Sequence, residues 1–279
     1  MPRAIAVAPL AVALSASLAC AGPAAHSASR DRGTRGVSST SSVRARNVVL
    51  WSGDFQTGNL LQWDRLQAAP GDARVVSSLP PHDGRRFAAA FTVRPGDNPI
   101  HSTGERAEAV ASVEQTGSEP NATAWYGWST YFPPDFSAPA DSWNIFTQWH
   151  GTLSDGCPPN LAFEANARSG KWIISLTARG GRLIGCMPPS QRRWTVATLQ
   201  LGQWYDFVLH VRWSSNPHRG YVSLWLNGRQ VIGQTTLATL YVGERAYLKQ
   251  GFYRAPSSLT TTIYHAGMRR GSSRASVSG

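Results

Sequence analysis

The chain has 279 residues, a formal net charge of +11 at pH 7 and 42% hydrophobic residues. Arginine supplies nearly all of the positive charge, since Lys171 and Lys249 are the only lysines. No apolar run is long enough to cross a membrane as a helix, so we predict no membrane span. A basic surface attracts nucleic acid, anionic lipid or an acidic polymer, and the charge alone does not choose between them.

An export signal is predicted over residues 1–21. Arg3 precedes an apolar run that ends at Leu18, and Ala19-Cys20-Ala21 fits the small-x-small cleavage rule. A lipoprotein signal would use Cys20, but Ser17 stands where such signals prefer a bulky aliphatic residue. We therefore predict a secreted protein rather than one that is anchored through Cys20.

One folded domain is predicted between two flexible segments. Residues 22–46 are rich in Ser, Arg, Gly and Ala, and they offer almost no large apolar side chain to offset the entropy of ordering. The stretch 272–279 has the same character, and we predict a disordered tail there. Residues 47–271 remain, a length that suits one large all-β domain.

Two cysteines follow the predicted signal, Cys157 and Cys186. A single pair of cysteines in an exported chain predicts one disulfide. A zinc site is the rival interpretation, but it would require about four ligands at short spacings, which the sequence lacks.

Many short strands are predicted across the domain. Runs rich in Trp, Tyr, Phe, Val and Thr alternate with clusters of Gly, Pro, Asn and Ser, as in "WYDFVLHVRWSSNPHRGYVSLWLNGRQV" over residues 204–231. Asn227-Gly228 is the dipeptide that favours a tight hairpin. No amphipathic helix of three or more turns is apparent. These patterns predict a two-sheet antiparallel β-sandwich of the jelly-roll, concanavalin-like type with a groove on its concave face.

The stretch "NIFTQWHG", residues 144–151, places polar side chains on one face of a strand. Alternation puts Gln148 and His150 on the same face, together with Phe146, and puts Trp149 on the other. A solvated sandwich face would explain this pattern equally well if it stood alone. The choice depends on the other strands.

Two further stretches repeat the pattern. "GERAEAV" puts Arg106 and Glu108 on one face, and "YLKQGFYR" puts Lys249 and Tyr253 on one face with Gly251 between them. A cross-strand ion pair and a rim tyrosine are the ordinary interpretations. If the three strands share a sheet, their side chains can bind a carboxylate and move a proton beside it.

Three motifs in this order resemble the heparin lyase I family, within the jelly-roll group that includes alginate and glucuronan lyases. The matching residues are Arg106-Ala-Glu108, Gln148-Trp-His150 and Tyr247-Leu-Lys249-Gln-Gly251-Phe-Tyr253. The similarity extends from "WSGDFQTGNLLQW" to "TTIYHAGMRRG", which is most of the domain. The resemblance implies a polysaccharide lyase that acts on a uronic-acid polymer by β-elimination.

Such a reaction removes the C5 proton beside a carboxylate, so donors must hold the charge that develops on it. We assign Arg106 and Gln148 to bind this carboxylate, and Glu108 to orient Arg106.

His150 is predicted as the base, because a neutral imidazole titrates near the working pH. Tyr253 is predicted as the acid that protonates the leaving O4. Lys249 is expected beside them at the substrate.

Three other functions remain as alternatives. A non-catalytic carbohydrate-binding module would keep the groove without needing both His150 and Tyr253. A jelly-roll glycoside hydrolase would need two carboxylates about 5–5.5 Å apart, and no Glu-x-Asp-x-x-Glu run exists. A nucleic-acid binder fits the charge, but no basic-aromatic motif supports it.

The identity of the polymer stays open among heparin-type, glucuronan and alginate chains. No cofactor is predicted, although Asp54, Asp97 and Asp155 are weak candidates for a structural calcium. The expected partner is an anionic polysaccharide and not a nucleic acid, and the protein is expected to act as a monomer.

Overall fold

The computed structural model describes residues 47–77, 79–153 and 156–278. The predicted signal and linker, including Cys20, and Asp155 therefore lie outside the described residues. The strands lie between Val49 and Gly271, and they are β1 (Val49–Gly53), β2 (Arg65–Gln67), β3 (Ala73–Val76), β4 (Ala88–Val93), β5 (Glu105–Ala111), β6 (Thr123–Phe132), β7 (Asn144–Gly151), β8 (Leu161–Arg168), β9 (Lys171–Gly180), β10 (Ser190–Thr198), β11 (Gln203–Arg212), β12 (Tyr221–Leu226), β13 (Arg229–Thr236), β14 (Ala246–Arg254) and β15 (Thr261–Gly271).

The strands form two antiparallel sheets, as predicted for a jelly-roll sandwich. The first sheet has the order β13-β12-β11-β6-β15-β4-β3, with β1 also paired to β15. The second sheet has the order β10-β9-β8-β7-β14-β5-β2. A single short helix, α1 (Val113–Thr116), is present in the described part of the chain; Ser112 caps its start and Gly117 ends it. The predicted absence of long helices is therefore confirmed for those residues.

Aromatic side chains fill the space between the sheets. Along β11, Phe207, Leu209 and Val211 are buried while the residues between them are only partly buried, which confirms the predicted alternation. Asn227 and Gly228 join β12 to β13, both with positive φ (48° and 78°), as the hairpin dipeptide predicts. Trp128 of β6 stacks on Phe207 of the adjacent strand β11 within this core, with ring centroids 5.0 Å apart.

Strict alternation fails at one point of β7. Phe146 belongs to the core together with Trp149, so it does not share a face with Gln148. The pairing of β7 with β8 shifts register between Ile145 and Thr147. Such a β-bulge adds one residue to a strand and turns the side chains that precede it to the other face. Ile145 consequently faces the same side of the sheet as Gln148.

The prediction of a disordered tail is wrong for residues 272–278. The segment forms a hydrogen-bonded turn in which Arg274 donates from Nη2 to the carbonyl of Gly228, at 2.9 Å. Val277 is 4% exposed and packs against Gly127, where a side chain would collide with its carbonyl. The composition of the tail did not show this, because a neighbouring strand provides the apolar contact surface.

Asp206 of β11 joins the first sheet to the loop before β4. His82 Nε2 lies 2.6 Å from Asp206 Oδ1, and Ser129 Oγ donates to the same oxygen at 2.5 Å. Burial acts to raise the pKa of Asp206, but the hydrogen bonds from His82 and Ser129 and the charge of Arg85 outweigh it, so the pKa is lowered.

Because the pKa is lowered in the folded state, this stabilisation is present above about pH 4 and is lost as the pH falls through the folded pKa. We expect Asp206→Asn to reduce the free energy of unfolding by about 1 kcal/mol at pH 7, after solvent screening of a partly exposed group. The difference from the parent protein should shrink by pH 3. Urea unfolding at both pH values measures it, and an equal loss at the two pH values would contradict the assignment.

Candidate active site

The three polar stretches occupy adjacent strands of the second sheet. β14 lies between β7 and β5. Tyr253 pairs with Arg106 of β5, and Lys249 pairs with Gln148 of β7. Directly paired residues of antiparallel strands share a face, so these side chains stand on one side of the sheet. The neighbouring residues Ala107, Leu248 and Phe252 belong to the core.

A groove of about 940 Å³ lies over this outer face. Five of the six side chains predicted for the site line it: Arg106, Gln148, His150, Lys249 and Tyr253. The sixth, Glu108, is 2% exposed and is not among the lining residues.

Glu108 contacts the three groups predicted to bind substrate. Gln148 Nε2 donates to Glu108 Oε1 at 2.6 Å, and Arg106 Nη1 donates to Oε2 at 3.4 Å. Lys249 Nζ lies 4.0 Å from the same Oε2. The carboxylate thus orients Gln148 and Lys249 as well as Arg106, which goes further than the sequence prediction.

Arg106 and Lys249 both contact the carboxylate of Glu108, and each of the two cations is 3% exposed. Two buried hydrogen-bonding atoms, Arg106 Nε and Gln148 Oε1, have no partner among the described residues. Burying unmatched polar atoms is costly unless a ligand completes the set. An anionic group in the groove would accept a hydrogen bond from Arg106.

Gly251 provides space for the protein's own backbone. A Cβ at this residue would lie 2.7 Å from the Cα of Glu108 and would also collide with the carbonyl of Ala107. The glycine therefore allows β5 to approach β14 closely, which brings Glu108 under Lys249. The approach of β5 therefore explains why a glycine lies between Lys249 and Tyr253.

His150 sits beside the disulfide-linked loop. Its Nδ1 lies 3.0 Å from the carbonyl of Gly151, and its Nε2 lies 3.1 Å from the carbonyl of Cys157. Cys157 is bonded to Cys186, as predicted, and Cys157 itself lines the groove. Two carbonyl oxygens can both accept only from an imidazolium, so a neutral His150 must give up one of these contacts.

Tyr253 lies at the other end of the groove from His150. The Arg106 guanidinium lies 3.8 Å from the centre of its ring, and the ring of Trp143 is 4.3 Å away. Its hydroxyl is 3.0 Å from Thr103 Oγ1. These contacts fix the phenol next to the residue that is predicted to hold the carboxylate.

The pairing register separates the two predicted proton-transfer groups. Tyr253 pairs with Ile145 and Tyr247 pairs with His150, so the two levels are five residues of β7 apart, roughly 16 Å of strand. Both side chains line the same groove and must reach towards each other from its two ends to act on one sugar.

Tyr247 is the phenol directly across from His150, with ring centroids 5.6 Å apart. Sequence reasoning included Tyr247 in the third motif but gave it no role. It also missed Thr103, Trp143, Arg65 and Arg179, which come from other parts of the chain. One signal in the sequence pointed to Tyr247. It lies two residues before Lys249 and six before Tyr253, so strand alternation puts all three side chains on the same face.

The aspartates considered for calcium do not form a common site in the described residues. Asp54 accepts from Gln62 and from the backbone of Gln56, and Asp97 accepts from the backbone of Arg94. The one group of three potential metal-ligating side chains found among those residues is a different one, made of His82, Asp83 and Asp206.

The described residues thus place two cations, an imidazole and a phenol along one groove of a jelly-roll sandwich. Residues 55–269 match the model of the polysaccharide lyase family. The chain therefore belongs to the polysaccharide lyase family and is a lyase. No curated protein matches the sequence.

Two solved structures share the fold, and a third is a weaker match. The endo-β-1,4-glucuronan lyase of the fungus Trichoderma reesei has a TM-score of 0.65 and 18% identity, and the match covers 82% of this chain and 98% of that one. The catalytic domain of a glycoside hydrolase family 131 protein from Coprinopsis cinerea has a TM-score of 0.56 and 12% identity, covering 81% and 95%. An alginate lyase of Pseudomonas aeruginosa has a TM-score of 0.46 and 18% identity, covering 66% and 82%.

A search of the described residues for a helix long and apolar enough to span a membrane found none.

Proposed function

We propose that this lyase is secreted and cleaves a uronic-acid polysaccharide by β-elimination. The observation that carries the proposal is the cluster of Arg106, Gln148 and Lys249 around the buried Glu108, beneath a groove that also holds His150 and Tyr253. The glucuronan lyase that shares the fold acts on a polymer of this class by its name.

The cluster suits the first step of the reaction. The C5 proton of a uronate is barely acidic while the adjacent carboxylate keeps its charge, because the carbanion would add a second negative charge. Arg106, Gln148 and Lys249 would bind that carboxylate and stabilise the enolate. Each such donor contributes roughly 10²–10³ in rate in a dry site. With substrate bound, its carboxylate would accept hydrogen bonds from this cluster.

His150 would take the C5 proton once its Nε2 releases the carbonyl of Cys157. Tyr253 would donate its proton to O4 as the glycosidic bond breaks, leaving a double bond between C4 and C5. Arg106 supports this role of Tyr253, since the guanidinium that binds the carboxylate also contacts the phenol ring. The carboxylate is bonded to C5, so a group next to Arg106 is next to the reacting carbon.

The same proposal covers the branch of the family to which the chain belongs and the polymer that it cleaves. The three motifs support a relationship to heparin lyase I, while heparin-type, glucuronan and alginate chains all carry the carboxylate that the cluster would bind. The active unit is proposed to be a monomer. The disulfide between Cys157 and Cys186 supports an oxidising, extracellular location.

The test is a panel of purified glucuronan, polymannuronate, polyguluronate and heparin, incubated with the enzyme. We expect ultraviolet absorbance from an unsaturated uronate end on at least one polymer. New reducing ends without that absorbance would indicate hydrolysis. Binding without any product would indicate a carbohydrate-binding module, and either result would overturn the proposal.

A further inference from the structure

Two arginines line the groove on either side of the central cluster. Arg65 is on β2, two strands from Lys249 on β14, and Arg179 is on β9, two strands from Gln148 on β7. Neighbouring strands are about 4.8 Å apart, so each arginine lies roughly 10 Å from the centre, measured across the strands.

Arg179 is held in place without an acidic partner. Its Nε donates to Gln191 Oε1 at 2.8 Å and its Nη1 donates to the carbonyl of Pro159 at 3.2 Å. No aspartate or glutamate in the described part of the chain lies within ion-pair distance of it. Burial lowers the pKa of Arg179, although the charge of Glu164 partly opposes this effect. A half-buried cation that is oriented by neutral groups is prepared for an anionic ligand.

Arg65 is more exposed than Arg179, and it forms a surface ion pair with one acidic residue. It pairs with Asp64 at 2.8 Å, where both side chains are about half exposed, and such surface pairs contribute little. Its guanidinium also lies 5.7 Å from the centre of the Tyr247 ring, which directs it along the groove towards His150. Through Val110, Arg65 stands in the row of Lys249 and Gln148. Arg179 stands one residue beyond Ala178, whose row contains Trp149, and so lies at the level of His150 on the other side of the cluster.

We propose that Arg65 and Arg179 bind substrate carboxylates on the two sides of the reacting sugar, which makes the enzyme an endo-acting lyase. This inference rests on the proposed function. In a 1,4-linked chain whose successive rings are turned over, every second carboxylate points to the same side. The repeat is then one disaccharide. Its length is comparable with two strand spacings, which together are roughly 10 Å. The full site holds about five sugars, with a uronate at alternate positions.

The experiment uses the polymer that the panel selects, cut into oligomers from trimer to hexamer. We expect Arg179→Ala and Arg65→Ala each to lower kcat/KM on the hexamer by roughly 10-fold, as for the loss of a charged hydrogen bond. A trimer spans the reacting sugar and at most one of the two flanking sites, so on the trimer at least one of the two variants should match the parent enzyme. Arg74→Ala, an exposed arginine on β3 of the other sheet, is the matched control and should change neither value.

Product sizes test the endo assignment directly. Early digestion of the polymer should give oligomers of many lengths, whereas a single small product from the start would overturn it. An equal effect of the two substitutions on trimer and hexamer would also overturn it. A loss seen only on sulfated polymer would show that the bound anion is sulfate rather than carboxylate, and would overturn the carboxylate assignment.

Failure of this inference is distinguishable from failure of the proposed function. If no polymer gives an unsaturated product, the proposed function fails. If product forms but the chain-length dependence of the variants equals that of the parent enzyme, only the two flanking sites fail.

Discussion

Replacing Tyr253 with phenylalanine is expected to lower kcat by roughly 10²–10⁴-fold on the polymer that the enzyme cleaves, because the leaving O4 loses its proton donor. The substitution keeps the ring that Arg106 and Trp143 contact. It removes only the hydroxyl and its hydrogen bond to Thr103, so the free energy of unfolding should fall by no more than about 1.5 kcal/mol. Initial rates of absorbance increase measure the loss.

Tyr247→Phe is the matched control on the same strand. It also keeps an aromatic ring, which Arg65 and Lys249 contact from the two sides. We expect this variant to retain most of kcat. An inactive Tyr247→Phe together with an active Tyr253→Phe would reverse the assignment and make Tyr247, directly across from His150, the proton donor.

His150→Asn is expected to lower kcat by a similar factor, roughly 10²–10⁴-fold, because no base remains for the C5 proton. Arg106, Gln148 and Lys249 keep their contacts with Glu108, so KM should change by less than about threefold. A kcat effect with little change in KM is characteristic of a group that acts in the transition state rather than in binding. Full saturation curves are needed to separate the two parameters.

The matched control for this prediction is His210→Asn. His210 lies on β11 of the other sheet, where it stacks on Trp125 at 3.8 Å and contacts Tyr221. Burial lowers the pKa of His210 to about 4, so it is neutral in the working range. The control should keep full activity. If His150→Asn keeps more than a tenth of the parent kcat, His150 does not carry the proton transfer.

Local pattern was sufficient for the strands and for most site residues. Alternation along "GERAEAV" and "YLKQGFYR" placed Arg106, Glu108, Lys249 and Tyr253 on outer faces, because side-chain direction in a strand follows from the backbone alone. The same rule misplaced Phe146, because a bulge depends on how β7 pairs with β8. Composition did not predict the burial of Val277, which depends on a glycine in a distant strand.

The sequence by itself determined an all-β chain, the residue types for binding a carboxylate and moving a proton, and one pair of cysteines for a disulfide. Tertiary structure decided how these residues are arranged. Strand order brought β5, β14 and β7 side by side, placed Glu108 beneath three donors, and set Tyr247 rather than Tyr253 opposite His150. The physical reason is that cross-strand neighbours come from distant parts of the chain, and their register is set by bulges and by close backbone approach at residues such as Gly251.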